Sequence, residues 1–111
     1  MQINEQTQGA VTVLEPDGAL TLDDADLFMS KLNEVIAQSA GRVVVDLASV
    51  PFVDSRGLEV LAEANDQMAS SGRALKLCAM NETIREVLDL TGLAKRFDHF
   101  DDTNSALRSF H

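Results

Sequence analysis

Tryptophan and tyrosine are absent from this 111-residue chain, and phenylalanine occurs only five times. So few aromatic faces leave little on which bases or sugar rings could stack. Cationic side chains are scarce too: nine Lys and Arg stand against 18 Asp and Glu, a formal charge of −9. That balance argues against nucleic acid as a partner, because neutralising phosphates takes clustered Lys and Arg. It argues equally against adsorption to anionic membrane surfaces. The single cysteine, Cys78, excludes an internal disulfide and any multi-cysteine zinc site, which suits a reducing compartment. No stretch approaches the roughly 18 apolar residues of a membrane span. Met1–Gln6 has neither the basic nor the apolar region of an export signal, so a cytoplasmic location with no membrane insertion is expected.

What is present fits one folded domain over residues 1–111. Hydrophobic residues make up 45% of the chain and charged residues 24%, and the length suits one core without staples. Ile3–Thr7 alternates weakly, Gln8-Gly9 offers a turn, and Ala10–Leu14 is a β-branched strand closed by Pro16-Asp17-Gly18. A hairpin therefore opens the chain. Thr21-Leu22-Asp23-Asp24 fits a capping box, and Ala25, Phe28, Met29, Leu32, Val35 and Ile36 then recur on one helix face. Gly41 supplies a left-handed stop. Val43-Val44-Val45 reads as a strand covered on both faces. A second helix begins at Asp54-Ser55, with an expected buried stripe of Leu58, Leu61, Ala62, Met68 and Ala69, and Gly72 stops it. Ala74–Ala79 is a further apolar strand. Asn81 caps a third helix, with Ile84, Val87, Leu88 and Thr91 directed inward. Phe97 and Phe100 bracket a short strand or loop, and Asp102-Thr103 caps a last short helix. Strands alternating with helices predict an α/β sheet with parallel crossovers.

Catalytic constellations are sparse. The two histidines, His99 and the terminal His111, lack the adjacent nucleophile and orienter of a catalytic site, and His99 reads as a surface imidazole. The six glycines form neither phosphate-cradling loop, so no nucleotide cofactor is expected. The acidic groups at Asp23-Asp24-Asp26 and Asp98–Asp102 match no calcium loop and read as helix caps and solvated charge. Cys78 lies in an apolar strand and reads as a buried, inert thiol.

One segment stands apart, Asp46-Leu47-Ala48-Ser49-Val50-Pro51-Phe52-Val53-Asp54-Ser55-Arg56-Gly57-Leu58. It places Ser55 where a loop becomes a helix, beside free backbone N–H groups at the positive end of the helix dipole. Gly57, in the first turn, costs about 1 kcal/mol relative to Ala and lets something approach the backbone closely. One reading is that Asp54 or Ser55 simply caps the helix. The other is that a phosphoryl group on Ser55 finds donors waiting there, together with the Arg56 guanidinium. Arg56 itself either pairs with Glu59 one turn on or recognises a carboxylate or phosphate on a partner.

The segment resembles the signature of STAS domains, particularly bacterial anti-sigma factor antagonists: an Asp-Leu after a central strand, then an apolar residue, Asp-Ser-x-Gly-Leu and an apolar helix. Gly18-Ala19-Leu20 resembles the family's Gly-Glu-Leu, and Thr91-Gly92-Leu93 its Ser/Thr-Gly-Leu, so the likeness runs the length of the chain. It implies a mixed four- to five-stranded sheet with about four helices packed mainly on one side, in a protein that is not an enzyme. It also implies that Ser55 is the phosphorylation site, on a partner-binding surface comprising Thr21, Asp23, Asp54, Ser55, Arg56, Gly57 and Leu58. The implied partner is an anti-sigma factor that doubles as a serine kinase and carries the ATP itself, with a phosphatase to reset the switch. The antagonist is expected to be monomeric alone. A second expectation is a STAS adaptor docked on the ATPase of a membrane transport complex without regulated phosphorylation. Arg56, where the family often has a small residue, Ala19 in place of Glu, and Thr21 in place of Asp are departures from the pattern.

Overall fold

The computed structural model describes residues 1–110; His111 lies outside the described residues. Strand β1 (Gln2–Gln8) and strand β2 (Val11–Asp17) form the expected hairpin, in unbroken register from Gln8↔Val11 to Gln2↔Asp17. Strand β2 runs three residues past Leu14 and takes in Pro16. Register parity explains why this is tolerated. A two-residue turn makes its closing pair, Gln8↔Val11, a hydrogen-bonded one, and pairs then alternate, so Pro16 falls in a non-hydrogen-bonded pair with Ile3. Its missing N–H therefore costs the ladder nothing.

The chain continues through helix α1 (Leu22–Ser39), strand β3 (Val43–Asp46), helix α2 (Ser55–Ala69), strand β4 (Lys76–Cys78) and helix α3 (Glu82–Leu90). A 3-10 turn at Leu93–Arg96, which no sequence signal announced, leads to strand β5 (Asp98–Phe100) and helix α4 (Thr103–Arg108). The strands lie in the order β1-β2-β3-β4-β5, with β1 antiparallel and the others parallel. This is a single α/β domain with a five-stranded mixed sheet.

Val43 and Val45 face the main core with Leu14, Leu77 and the apolar stripes of α1, α2 and α3. Val44 faces the other way, against Val13, Cys78 and Ala106 of α4. The triple-valine strand is thus covered on both faces, and only the short last helix occupies the second one. Burial there pushes the Cys78 thiol up to about 11, as an inert thiol requires.

Two helical stripes differ from expectation. The buried face of α2 is Gly57, Val60, Leu61, Ala64, Asn65 and Met68, whereas Leu58 and Ala62 are half-buried and Ala69 is exposed. A polar residue on the inward face misleads a count of apolar letters. Asn65 is buried because its Oδ1 accepts the Leu75 N–H at 2.8 Å, fixing the chain as it enters β4. In α3, Ile84 and Leu88 are buried, but Thr91 is exposed and its hydroxyl donates to the Val87 carbonyl at 2.8 Å. Asn65→Ala strands a buried amide and should cost about 1–3 kcal/mol. Urea unfolding will show this as a lower midpoint at unchanged slope; an unaltered midpoint would remove Asn65 from the account.

Candidate functional site

At the C-terminal end of β3 the chain neither turns straight into helix nor wanders. Asp46 Oδ1 accepts the Ala48 N–H at 2.9 Å, while Oδ2 accepts the Thr103 hydroxyl at 3.1 Å. Leu47 and Val50 are buried and anchor the loop from beneath. Residues 49–54 then run beside residues 18–20. The Gly18 N–H donates to the Ser49 carbonyl at 3.0 Å, Leu20 N–H to the Phe52 carbonyl at 3.1 Å, and Asp54 N–H to the Leu20 carbonyl at 3.2 Å. Leu20 and Val53 form a parallel bridge. The Gly-Ala-Leu segment and the Asp-Ser-x-Gly-Leu segment, read as separate resemblances in the sequence, are therefore one hydrogen-bonded zipper.

Asp54 closes it. Its Oδ1 accepts the Gly57 N–H at 2.9 Å, capping α2, and its Oδ2 accepts the Leu22 N–H at 2.9 Å, at the start of α1. One carboxylate thus serves the positive ends of two helix dipoles. The Gly57 N–H bond, with those from Leu22 and Arg56, holds its carboxyl below the ordinary carboxylate range despite some desolvation. The expected Thr21–Asp24 capping box is not made: Thr21 occupies the cap position, but its side chain makes no cap hydrogen bond. Asp54 takes over that task from 32 residues away.

Gly57 is buried, and the group that approaches it is not a ligand. A Cβ built there would lie 2.3 Å from the Leu20 carbonyl oxygen and 2.6 Å from Val53 Cγ1. The glycine is required by space, because the zipper passes directly beneath the first turn of α2. Within the expected partner surface, Gly57 therefore shapes the site from below, and half-buried Leu58 packs against the core. Ser55 and Asp23 are exposed, and Thr21 and Asp54 are partly so.

Ser55 is the first residue of α2. The donors expected to await a phosphoryl group on it are largely committed: the Gly57 N–H to Asp54, and the Arg56 guanidinium to carboxylates. Arg56 Nη2 lies 2.9 Å from Asp26 Oδ1, and Nη1 lies 3.0 Å from Glu59 Oε2 and 3.5 Å from Glu63 Oε1. The Asp26 and Glu59 contacts raise the arginine's already high pKa further. The Glu59 pair is the one the helix spacing predicts; the links to Asp26 on α1 and Glu63 two turns along are additional.

Two apolar residues flank this end of the sheet in solvent. Leu22 is 67% exposed and Phe52 is 49% exposed. Both belong to the zipped segments, Leu22 through its N–H to Asp54 and Phe52 through its carbonyl to Leu20. Phe52 lies within the signature segment, whereas the only signal for Leu22 in the sequence is an apolar residue at a helix start off the buried stripe. His99 is an exposed side chain on β5.

Two predictions follow from this geometry. Gly57→Ala should lose about 1–3 kcal/mol although alanine is the better helix former, and it should move the Leu22 amide resonance by displacing Leu20. A variant as stable as its parent would show that the zipper gives way freely. Asp54 has a folded-state pKa below its ordinary value near 3.8, so its contribution is present above that value and fades as pH falls through the folded pKa. Asp54→Ala should therefore be the less stable protein at neutral pH, with the gap closing as both proteins are acidified below about pH 4. A gap that does not depend on pH would exclude the charged cap.

Comparison with known proteins supplies the relationship. The STAS domain profile matches residues 2–106. The anti-sigma-F factor antagonist RsfB of Mycobacterium tuberculosis is 31% identical over 97 residues, covering 87% of this chain and 79% of that protein. An anti-sigma F factor antagonist of Paenibacillus polymyxa is 25% identical over 108 residues, covering 96% and 92%. The crystal structure of an anti-sigma factor antagonist from Mycobacterium paratuberculosis superposes with a TM-score of 0.85 at 24% identity, over 97% of this chain and 92% of that one. With the zipped signature and the five-stranded sheet, these matches place the chain in the STAS domain family, among the anti-sigma factor antagonists.

Proposed function

We propose that this protein is a phosphorylation-switched binding module of transcription control. Unmodified at Ser55, it binds an anti-sigma factor that is also a serine kinase and so frees a sigma factor. The partner then transfers the γ-phosphoryl of its own ATP to Ser55 Oγ, which loses its proton and leaves ADP, and the modified protein lets go. A phosphatase restores the hydroxyl. The module works in the cytoplasm, monomeric on its own, and contributes recognition rather than catalysis.

The observation that carries this reading is an exposed serine hydroxyl on the first residue of a rigidly held helix, with exposed Leu22 and Phe52 at the same end of the sheet. A kinase needs the hydroxyl in solvent, and a docking partner needs apolar surface to cover. The relatives named as anti-sigma factor antagonists support the choice of partner. Ligands of open parallel sheets also sit beyond the carboxyl ends of the strands, where Ser55 lies.

Phosphorylation adds about −1.5 to −2 charge at pH 7. The residue before Ser55, Asp54, has its carboxylate already bound to two backbone amides, and the residue after it, Arg56, is shared among three acids. Desolvating that charge against a partner costs several kcal/mol, at least about a hundredfold in affinity. The release is thus electrostatic at the interface and requires no refolding.

Incubation with the cognate kinase and ATP should add a single phosphate by intact mass, and Ser55→Ala should add none. The phosphorylated protein should bind the kinase at least about a hundredfold more weakly, with circular dichroism spectra of the two forms superimposing. A tight complex indifferent to nucleotide, with no modification, would overturn the reading in favour of a constitutive adaptor; a global spectral change would overturn the electrostatic account.

A further inference from the structure

We infer that Asp26, Glu59 and Glu63 act as positioning residues for the switch: they hold the Arg56 guanidinium away from Ser55, so that a phosphoryl group there keeps its full charge. The inference rests on Ser55 being the modified residue.

Arginine next to a phosphoserine is ordinarily a neutraliser. Its planar fork pairs with phosphate oxygens in short, charge-assisted bonds, and such pairs are among the strongest polar contacts in proteins. An arginine free to fold back over Ser55 would cancel much of the added charge and weaken the signal to the partner. Here the side chain goes the other way. Helical side chains usually lean toward the N-terminus of their helix, onto the turn three to four residues back, which from Arg56 is the loop leading into Ser55. Arg56 instead reaches along α2 to Glu59 and Glu63, the latter seven residues on and so about 10 Å further along the axis. Its second terminal nitrogen crosses to Asp26 on α1.

Three carboxylates from two helices converge on one guanidinium, and together they carry more charge than the phosphate that would compete for it. Each pair alone would be weak, because exposed ion pairs contribute at most about 1 kcal/mol. The convergence gives the set its hold. A small residue at position 56 would need no such arrangement, whereas the arginine here would blunt the switch without it. In these terms Asp26, Glu59 and Glu63 compensate for Arg56, and Arg56 in return ties α1 to α2 beside the docking surface.

The second ionisation of phosphoserine reports its charged neighbours and can be read by phosphorus NMR without any kinase, with phosphoserine installed genetically at position 55. The comparison is Arg56→Ala made in two backgrounds, the native one and one carrying Asp26→Asn, Glu59→Gln and Glu63→Gln. The three carboxylates are 81%, 62% and 53% exposed, so their neutral amides leave the fold intact. With the acids native, Arg56→Ala should leave the phosphate pKa where it was. With the acids neutralised, Arg56 is free to reach the phosphate, and its removal should raise the pKa by about half a pH unit. An equal rise in both backgrounds would show that Arg56 already pairs with the phosphate, and no rise in either would show that the acids are not what withholds it; each overturns the inference. Failure of the kinase to modify Ser55 would instead count against the proposed function and leave this result standing.

Discussion

The Asp54 carboxylate accepts hydrogen bonds from two helix starts at once, and the rest of the site takes its position from that sharing. One oxygen caps α2 through Gly57, and the other holds the first residue of α1 through Leu22. Asp54 directly precedes α2, but α1 begins 32 residues before it with strand β3 in between, so no local propensity would bring both helix starts to a common point. Backbone bonds between residues 18–20 and 49–54 complete the junction, and the missing Cβ of Gly57 is the space through which they pass. Ser55 follows Asp54 directly. It is therefore presented on a scaffold fixed from both sides, while its own side chain stays in solvent.

Such a junction suits a reversible mark better than a hidden one. A serine held by its own hydrogen bonds would have to be extracted before a kinase could reach it. A serine at the head of a helix already capped by its neighbour can be esterified without breaking a bond that holds the fold. Under the proposed switch, the added charge acts only where a second protein would cover it. The acidic surroundings add to the effect, since a chain of formal charge −9 offers a phosphate little compensation of its own. Four helices direct their N-termini toward this end, each entered through an extended cap residue, and three of the caps, Asp54, Asn81 and Asp102, accept an amide from their own first turn.

Much of the fold could be read from residue order because local and global signals agree. The hairpin, the valine strand covered on both faces, the apolar stripe of α1 and the Asn81 and Asp102 caps all follow from period and cap chemistry. The failures have a common cause. Asn65 is buried for a bond to a backbone amide ten residues away, and Asp54 caps an amide 32 residues away. Backbone donors carry no letter in the sequence, so an acceptor aimed at one looks like surface polarity or a purely local cap. The glycine of the signature was legible as a close approach, but the approaching group, Leu20, lay in a segment whose likeness to the family had been noted separately. Arg56 was legible only in its helical pairing with Glu59, since Asp26 reaches it across two packed helices.

The sharing of Asp54 is open to direct measurement. In a pH titration followed by amide NMR, the Leu22 and Gly57 protons should move together, with one midpoint below the ordinary carboxylate range, as the common acceptor is protonated. Two different midpoints, or a Leu22 amide that does not respond while Gly57 does, would mean that the carboxylate caps a single helix and that the junction at Ser55 is held by other contacts.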